Sequence, residues 1–247
     1  MKKFIKDQLE DYKLLLRSVP SLFVSLYVVS VILMNILANK SVNTGLNWLA
    51  LDCGFTVSWM SFLTMDTITK RFGPKAATKL SIMAVGINLL CCAIMFGISK
   101  IPGNWGEYYT FNNDIANQAL NNTFGGSWYV VFGSMVAFLT SAIVNNFLNS
   151  CIGKRLSNNN FRAYAIRSYI STAVGQFVDN LVFALIVSYV LFGWNMIQVV
   201  VCAITGMVVE LLCEVIFSPF GYKVVKQWEA DKVGQAYLDK HKLGENI

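Results

Sequence analysis

The sequence predicts an all-α, polytopic membrane protein: a bundle of six transmembrane helices with both termini on the cytoplasmic side. Three observations carry this expectation. Six apolar segments each have about the length, roughly 20 residues, that a helix needs to cross a hydrocarbon core of about 30 Å. All of the 20 Lys and Arg residues except Lys40 and Lys100 fall on alternate sides of those segments, and cytoplasmic flanks of membrane helices collect such residues. Hydrophobic residues make up 55% of the 247 and charged ones only 14%, a balance that suits one compact membrane domain.

The elements follow in order. Residues 1–18 read as an amphipathic cytoplasmic segment bearing Lys2, Lys3, Lys6, Lys13 and Arg17. Residues 19–222 form the six-helix domain. Its first span runs from Val19 to Ala38 and its second from Trp48 to Ile68, followed by Lys70, Arg71, Lys75 and Lys79. The third span runs from Ala77 to Ser99. The outer connection from Lys100 to Gly125 is the one long loop, with Pro102, Gly103, Trp105, Tyr108, Tyr109 and several Asn residues. It reads either as a cover over a site or as a solvated connector with interfacial aromatics. The fourth span covers Gly126 to Cys151, the fifth Ala163 to Phe192 and the sixth Met196 to Phe217, with Lys154, Arg155, Arg162 and Arg167 between the fourth and fifth. Residues 223–247 read as a charged cytoplasmic tail that ends in disorder.

Several function classes fit poorly. The net charge of +6 is a membrane signature, because the basic residues form no single stripe for nucleic acid. No G-x-x-x-x-G-K-[ST] phosphate loop occurs, so ATP hydrolysis by this chain is not expected. No H-E-x-x-H motif or Ser/His pair occurs, and the one histidine, His241, lies in the polar tail. Neither an enzyme nor a bound metal or cofactor is expected. The six cysteines lack zinc-type spacing and read as small buried hydrophobes. The polar N-terminus shows no signal-peptide pattern.

The informative residues are the polar ones inside the spans. A carboxylate at mid-membrane is costly and ordinarily faces a cavity or a partner. Asp179 lies near the middle of the fifth span, and Thr172, Gln176, Asp179 and Asn180 share one helical face. Gly175 allows close approach. A ligand or ion site and helix–helix hydrogen bonding are the two readings of this stripe. Glu210 and Glu214 stand one turn apart in the sixth span. Asp66 closes the second span beside Lys70 and Arg71, as a site residue or as part of an ion-pair cluster. Asp52, near the outer surface, is expected to be solvated. Asn35 and Asn39 share a face of the first span, and Asn88, Asn145, Asn146 and Asn149 add amides. Any one of them could bond a neighbouring helix, but their number favours a polar cavity.

At these residues the chain resembles the bacterial queuosine-precursor transporters, also called the vitamin uptake transporter (VUT) family. Asn35 to Lys40 resembles the family's Asn-containing end of the first helix. The stretch from Phe62 to Gly73, with Asp66, resembles its Asp-containing segment closed by an aromatic and Gly. Arg167 to Asn180, with Ser171-Thr172, Gly175-Gln176 and Asp179, resembles its Ser-Thr…Gly-(Gln/Asn)…Asp helix. Ser218 to Tyr222 resembles its Pro-containing end of the last helix. The similarity spans residues 20–228, and the ordered combination carries it. Two departures mark this chain: Lys70 stands where many members have Glu, and Val209 and Glu210 stand in a last span where many have Lys.

The resemblance implies import of a 7-deazaguanine precursor of queuosine across the cytoplasmic membrane of a bacterium, by an architecture similar to the substrate-binding S-components of ECF vitamin transporters. Under it, the Asp179 carboxylate would accept a ring N–H and an exocyclic amine together. Gln176 and Asn180 would take other edge atoms, and Asn35, Thr172 and Asp66 would add to the polar rim. Trp59, Phe62 or Phe177 would sandwich the ring. Glu210 and Glu214 would titrate if protons drive uptake. Expected partners are the small-molecule substrate, the lipid bilayer and either an ECF-type energising module or a second copy of the chain. The rival readings are a carrier for another vitamin or purine-like heterocycle and, from another class, a structural or assembly membrane protein.

Overall fold

The computed structural model describes residues 2–49, 51–106, 114–153 and 161–241. Helices α1 (Lys2–Ser18) and α2 (Ser21–Leu37) are followed by a two-residue antiparallel ladder of β1 (Ser41–Val42) and β2 (Leu51–Asp52). Then come α3 (Phe55–Phe72), α4 (Pro74–Ser99), α5 (Asp114–Gly153) and α6 (Phe161–Phe183). A π-helical segment (Ala184–Ser188) leads into α7 (Tyr189–Leu191), and α8 (Met196–Ala230) and α9 (Gln235–His241) complete the chain.

Helix boundaries follow local chemistry. Pro20 separates α1 from α2, because proline disfavours helical geometry in the residue before it; its carbonyl then accepts the amides of Phe23 and Val24. Gly73 ends α3 with φ of 82°, a left-handed cap that glycine adopts without a side-chain penalty. Pro74 opens α4 at the position where a missing N–H costs nothing.

Among the described residues, four helical stretches are long and apolar enough to cross a membrane: Pro74–Ser99, Asp114–Ser141, Thr172–Leu191 and Met196–Phe217. The first and second expected spans depart from this pattern. The 17 residues of α2 sit at the lower limit of spanning length. The second span starts later than expected, at Phe55 rather than Trp48, because 41–52 turns back on itself as a ladder. Charged Asp66, Lys70 and Arg71 lower the hydropathy of α3. The long outer loop is shorter than the sequence suggests, since α5 begins at Asp114. Asn117 accepts the Trp105 amide at 2.9 Å, and Asn121 accepts the Trp105 indole N–H at 2.8 Å. The Asn-rich stretch thus belongs to a helix that pins the loop. Tyr108 and Tyr109 lie outside the described residues.

The chain divides into two compact units. One comprises Met1–Ile32, Val57–Asn88 and Glu214–Ile247; the other comprises Leu33–Thr56 and Leu89–Cys213. In the first, α8 runs on past Phe217 to Ala230, and after a turn α9 follows, with Tyr237 and Leu238 buried, as are Leu15, Phe72 and Trp228. Phe72 meets the rings of both Trp228 and Tyr237. Gly234 has φ of 68°, and a side chain there would overlap the Phe72 ring. Arg71 donates from Nε and Nη2 to the Val233 carbonyl.

The buried carboxylate of Asp11 is the electrostatic centre of this unit. Lys79 donates to Oδ2, while Lys240 at 3.1 Å and His241 at 2.8 Å meet Oδ1. Burial pushes the carboxyl up, but these hydrogen bonds outweigh it and hold Asp11 well below the usual carboxylate range. Burial, with the Asp11 charge beside it, pushes the Tyr237 phenol up to about 12.

In the second unit α5 packs along the length of α6. Gly133 admits Val187 of the π-helical segment, where a side chain would collide with it. The Tyr129 hydroxyl donates to the Ile186 carbonyl at 3.1 Å, one of the carbonyls whose pairing a π turn disturbs. Cys92 and Cys202 are buried, as small hydrophobes should be, whereas Cys151 is exposed.

Two stability predictions follow. Because the Asp11 pKa is depressed on folding, its contribution is complete above the unfolded value of about 3.9 and lost as pH falls below it. Melting of the detergent-solubilised chain from pH 6 to 3 should show the onset of this loss, which continues toward the depressed folded value. Asp11→Asn should cost about 1–3 kcal/mol at neutral pH and lack that acid-dependent component. Gly234→Ala should lower stability by about 1–3 kcal/mol through overpacking against Phe72, read as a lower melting temperature.

Candidate functional site

The polar stripe of α6 is matched by two other helices of the same unit. Ser141 of α5 donates its hydroxyl to Asp179 Oδ1 at 3.0 Å. Asn180 Nδ2 donates to Glu210 Oε2 of α8 at 3.0 Å and to the Gln176 carbonyl at 2.9 Å. Three helices are therefore joined through side chains that would each be costly alone among apolar neighbours.

The approach of α8 depends on Gly206. A Cβ there would lie 2.9 Å from Asn180 Cγ and Oδ1, too close for the amide to stay where it is. Glu210 stands one turn beyond Gly206, on the same helical face. Gly206 thus makes room for the Asn180 amide, and Glu210 receives its proton donor.

Gln176 differs from its neighbours. Its side chain is only 3% exposed, and neither Nε2 nor Oε1 has a hydrogen-bond partner among the described residues. A buried amide with donors and acceptor all unmatched forfeits roughly 1–3 kcal/mol for each group. The arrangement offers, side by side, a carboxylate with acceptor capacity beyond its single serine bond, an amide tied to a second carboxylate, and a free amide.

The structure brings Gln176, Asp179, Asn180 and Glu210 together as one cluster. Thr172, half-buried, lies one turn before Gln176 on the same face. Asn35 is buried in this unit, and its carbonyl accepts a bond from Asn39 Nδ2 at 3.2 Å. Trp59 and Phe62 belong to the other unit. The Trp59 ring is stacked at 4.4 Å on Phe217, so one face of that ring is already covered. The side chains of Asp66, Asn145, Asn146, Asn149 and Glu214 lie outside the described residues. Asp52 is half-buried rather than solvated, and its Oδ1 accepts the Gly54 amide at 2.7 Å.

Two contributors escaped sequence reasoning. Ser141 resembles many serines that bond their own helix, and it does also contact the Phe138 carbonyl. Gly206 carried a usable signal, since it precedes Glu210 by four residues in an otherwise apolar helix. No group of three or more His, Cys, Asp or Glu residues suited to a metal occurs among the described residues.

Residues 52–224 match the family described as "putative vitamin uptake transporter". No curated protein and no solved structure matches the chain. The matched stretch contains Ser141, Gln176, Asp179, Asn180, Gly206 and Glu210, so the whole cluster lies within it, whereas Asn35 precedes it. With well over half of its length matched and its long helices apolar enough to span a bilayer, this multi-pass membrane protein belongs to the vitamin uptake transporter family.

Proposed function

We propose that the chain imports a 7-deazaguanine precursor of queuosine across the cytoplasmic membrane of a bacterium. In this reading α2 and α3 complete a set of six spans, and both termini are cytoplasmic, as the distribution of Lys and Arg favours. The observation that carries the proposal is the α6 stripe, where an unpartnered buried Gln176 amide lies beside Asp179 and Asn180. A deazaguanine presents a ring N–H and an exocyclic amine on one edge, which a carboxylate accepts as a pair. Its lactam carbonyl, on the neighbouring ring atom, accepts from a primary amide. Asp179 takes the paired donors, Gln176 takes the complementary atoms, and Asn180, anchored on Glu210, fixes the third side. Asn35 and Thr172 add to the polar rim. Glu210 and Glu214 carry protons if a gradient drives uptake; an ECF-type energising module or a second copy of the chain is the alternative.

A second reading, uptake of another vitamin-like heterocycle, draws on the family's description and on Lys70 where many members carry Glu. Melting of the purified chain with 7-deazaguanines, purines and vitamins decides between the two, because a ligand bound only by the folded form raises the melting temperature.

Gln176→Leu should leave the unliganded melting temperature unchanged or higher, since an unmatched buried amide is removed. The same variant should bind ligand about tenfold more weakly. A ligand-induced shift equal to wild type would remove Gln176 from the site. Asp179→Ala, inserted at wild-type levels, should weaken binding roughly 10- to 100-fold, the loss of one or more hydrogen bonds to a charged group. Gly206→Ala should impair uptake similarly by displacing Asn180, and undiminished uptake by either variant would argue against this assignment.

A further inference from the structure

The transport reading leaves the first helix without a role. α1 meets α2 at 105°, with the break at Val19 and Pro20. With α2 taken as a span, as in the transport reading on which this inference rests, a helix set nearly at right angles to it runs along the membrane surface rather than through the bilayer. One face of α1 is committed to its own unit. Asp11, Leu15 and Ser18 are buried there, and Asp11 holds Lys79, Lys240 and His241.

The opposite side is open. Leu9 is 57% exposed and Leu16 41%. They stand seven residues apart, so they form one apolar stripe. Exposed Lys6, Lys13 and Arg17 flank that stripe along one edge. Glu10, one turn from Lys6 and 4.0 Å away, lies beyond the basic edge, with Asp7 further round. Two leucines are too few for a protein partner, since a stable interface buries about 1,200 Å² or more. Leucine beside a row of basic residues, on a helix joined directly to a membrane span, fits a bilayer whose headgroups are negative.

We propose that α1 is an interfacial helix that docks on anionic phospholipid headgroups. Leu9 and Leu16 enter the boundary between headgroups and acyl chains. Lys6, Lys13 and Arg17 pair with the phosphates above it. The Asp11 cluster fixes the rotation of the helix, so that this edge and no other faces the lipid. The acid on the inner face and the bases on the outer face then have separate tasks.

The test uses the full chain in nonionic detergent micelles titrated with phosphatidylglycerol or phosphatidylcholine, with melting temperature as the readout. Phosphatidylglycerol should raise the melting temperature and phosphatidylcholine should not. The gain should shrink near 1 M salt, where the screening length falls to about 3 Å. The triple variant Lys6→Gln, Lys13→Gln, Arg17→Gln should bind phosphatidylglycerol on the order of 100-fold more weakly, at about fivefold per charge. The pair Leu9→Gln, Leu16→Gln should lose most of the gain yet keep its salt dependence. Lys13→Gln alone supplies the fivefold step if the triple variant melts abnormally without lipid. A triple or single variant with the full wild-type gain would overturn the proposal by placing the headgroups elsewhere. So would equal gains from the two lipids, a leucine pair with undiminished gain, or a gain that follows protein concentration instead of lipid.

Discussion

The arrangement of the long helices rests on one constraint: polar groups placed among apolar helices must find partners in other helices. Asp179 and Glu210 are each too costly to leave unmatched. Ser141 answers the first and Asn180 the second. These bonds also fix the rotation of α5, α6 and α8 about their own axes. A helix turned by one residue would carry its carboxylate 100° away from the donor. Small residues make the matching geometrically available, since Gly206 admits the Asn180 amide and Gly133 admits Val187. Apolar surface alone would not choose among such rotations, because lipid tails are as good a neighbour as leucine.

The same logic operates with opposite emphasis in the other unit. Asp11 is matched by two lysines and a histidine rather than by one neutral hydroxyl. These come from α4 and from α9, so a single carboxylate ties the first helix both to the start of a long helix and to the last helix of the chain. In the same unit Leu15, Phe72, Trp228, Tyr237 and Leu238 are buried, with Phe72 meeting Trp228 and Tyr237. Full burial of such side chains contributes about 1.5–3 kcal/mol each, so packing supplies most of the stability, and the ion cluster selects which faces meet.

Much of this order could be read from residue patterns, and the failures have definite causes. Long apolar runs located α4, α6 and α8 because hydropathy and length are direct consequences of bilayer thickness. The α6 stripe was visible because Thr172, Gln176, Asp179 and Asn180 recur at helical spacing. The ladder was missed because it is only two pairs long and its second strand lies at the start of the apolar run read as the second span. The early start of α5 was missed because Asn residues signal loops, and here two of them hold Trp105 from a helix. The docking of α9 was missed because Lys240 and His241 answer the distant Asp11. Long-range partners of this kind leave no local mark, and Ser141 escaped for the same reason.

Two buried side chains lack partners among the described residues, and they do not carry equal meaning. The Ser188 hydroxyl is one of them, but it lies at the end of the π-helical segment, where backbone pairing is already irregular, and its carbonyl is engaged by the Trp194 amide. A single hydroxyl left over at such a site is a small cost of local geometry. Gln176 lies within regular helix, where no irregularity accounts for it. Its amide exposes both hydrogen-bonding signs, and its neighbours at the next turn are held in place by two other helices. A helix that needed only packing would gain stability from leucine at this position. Keeping an amide there, next to a carboxylate and an anchored asparagine, makes sense where an incoming molecule supplies the missing donor and acceptor together.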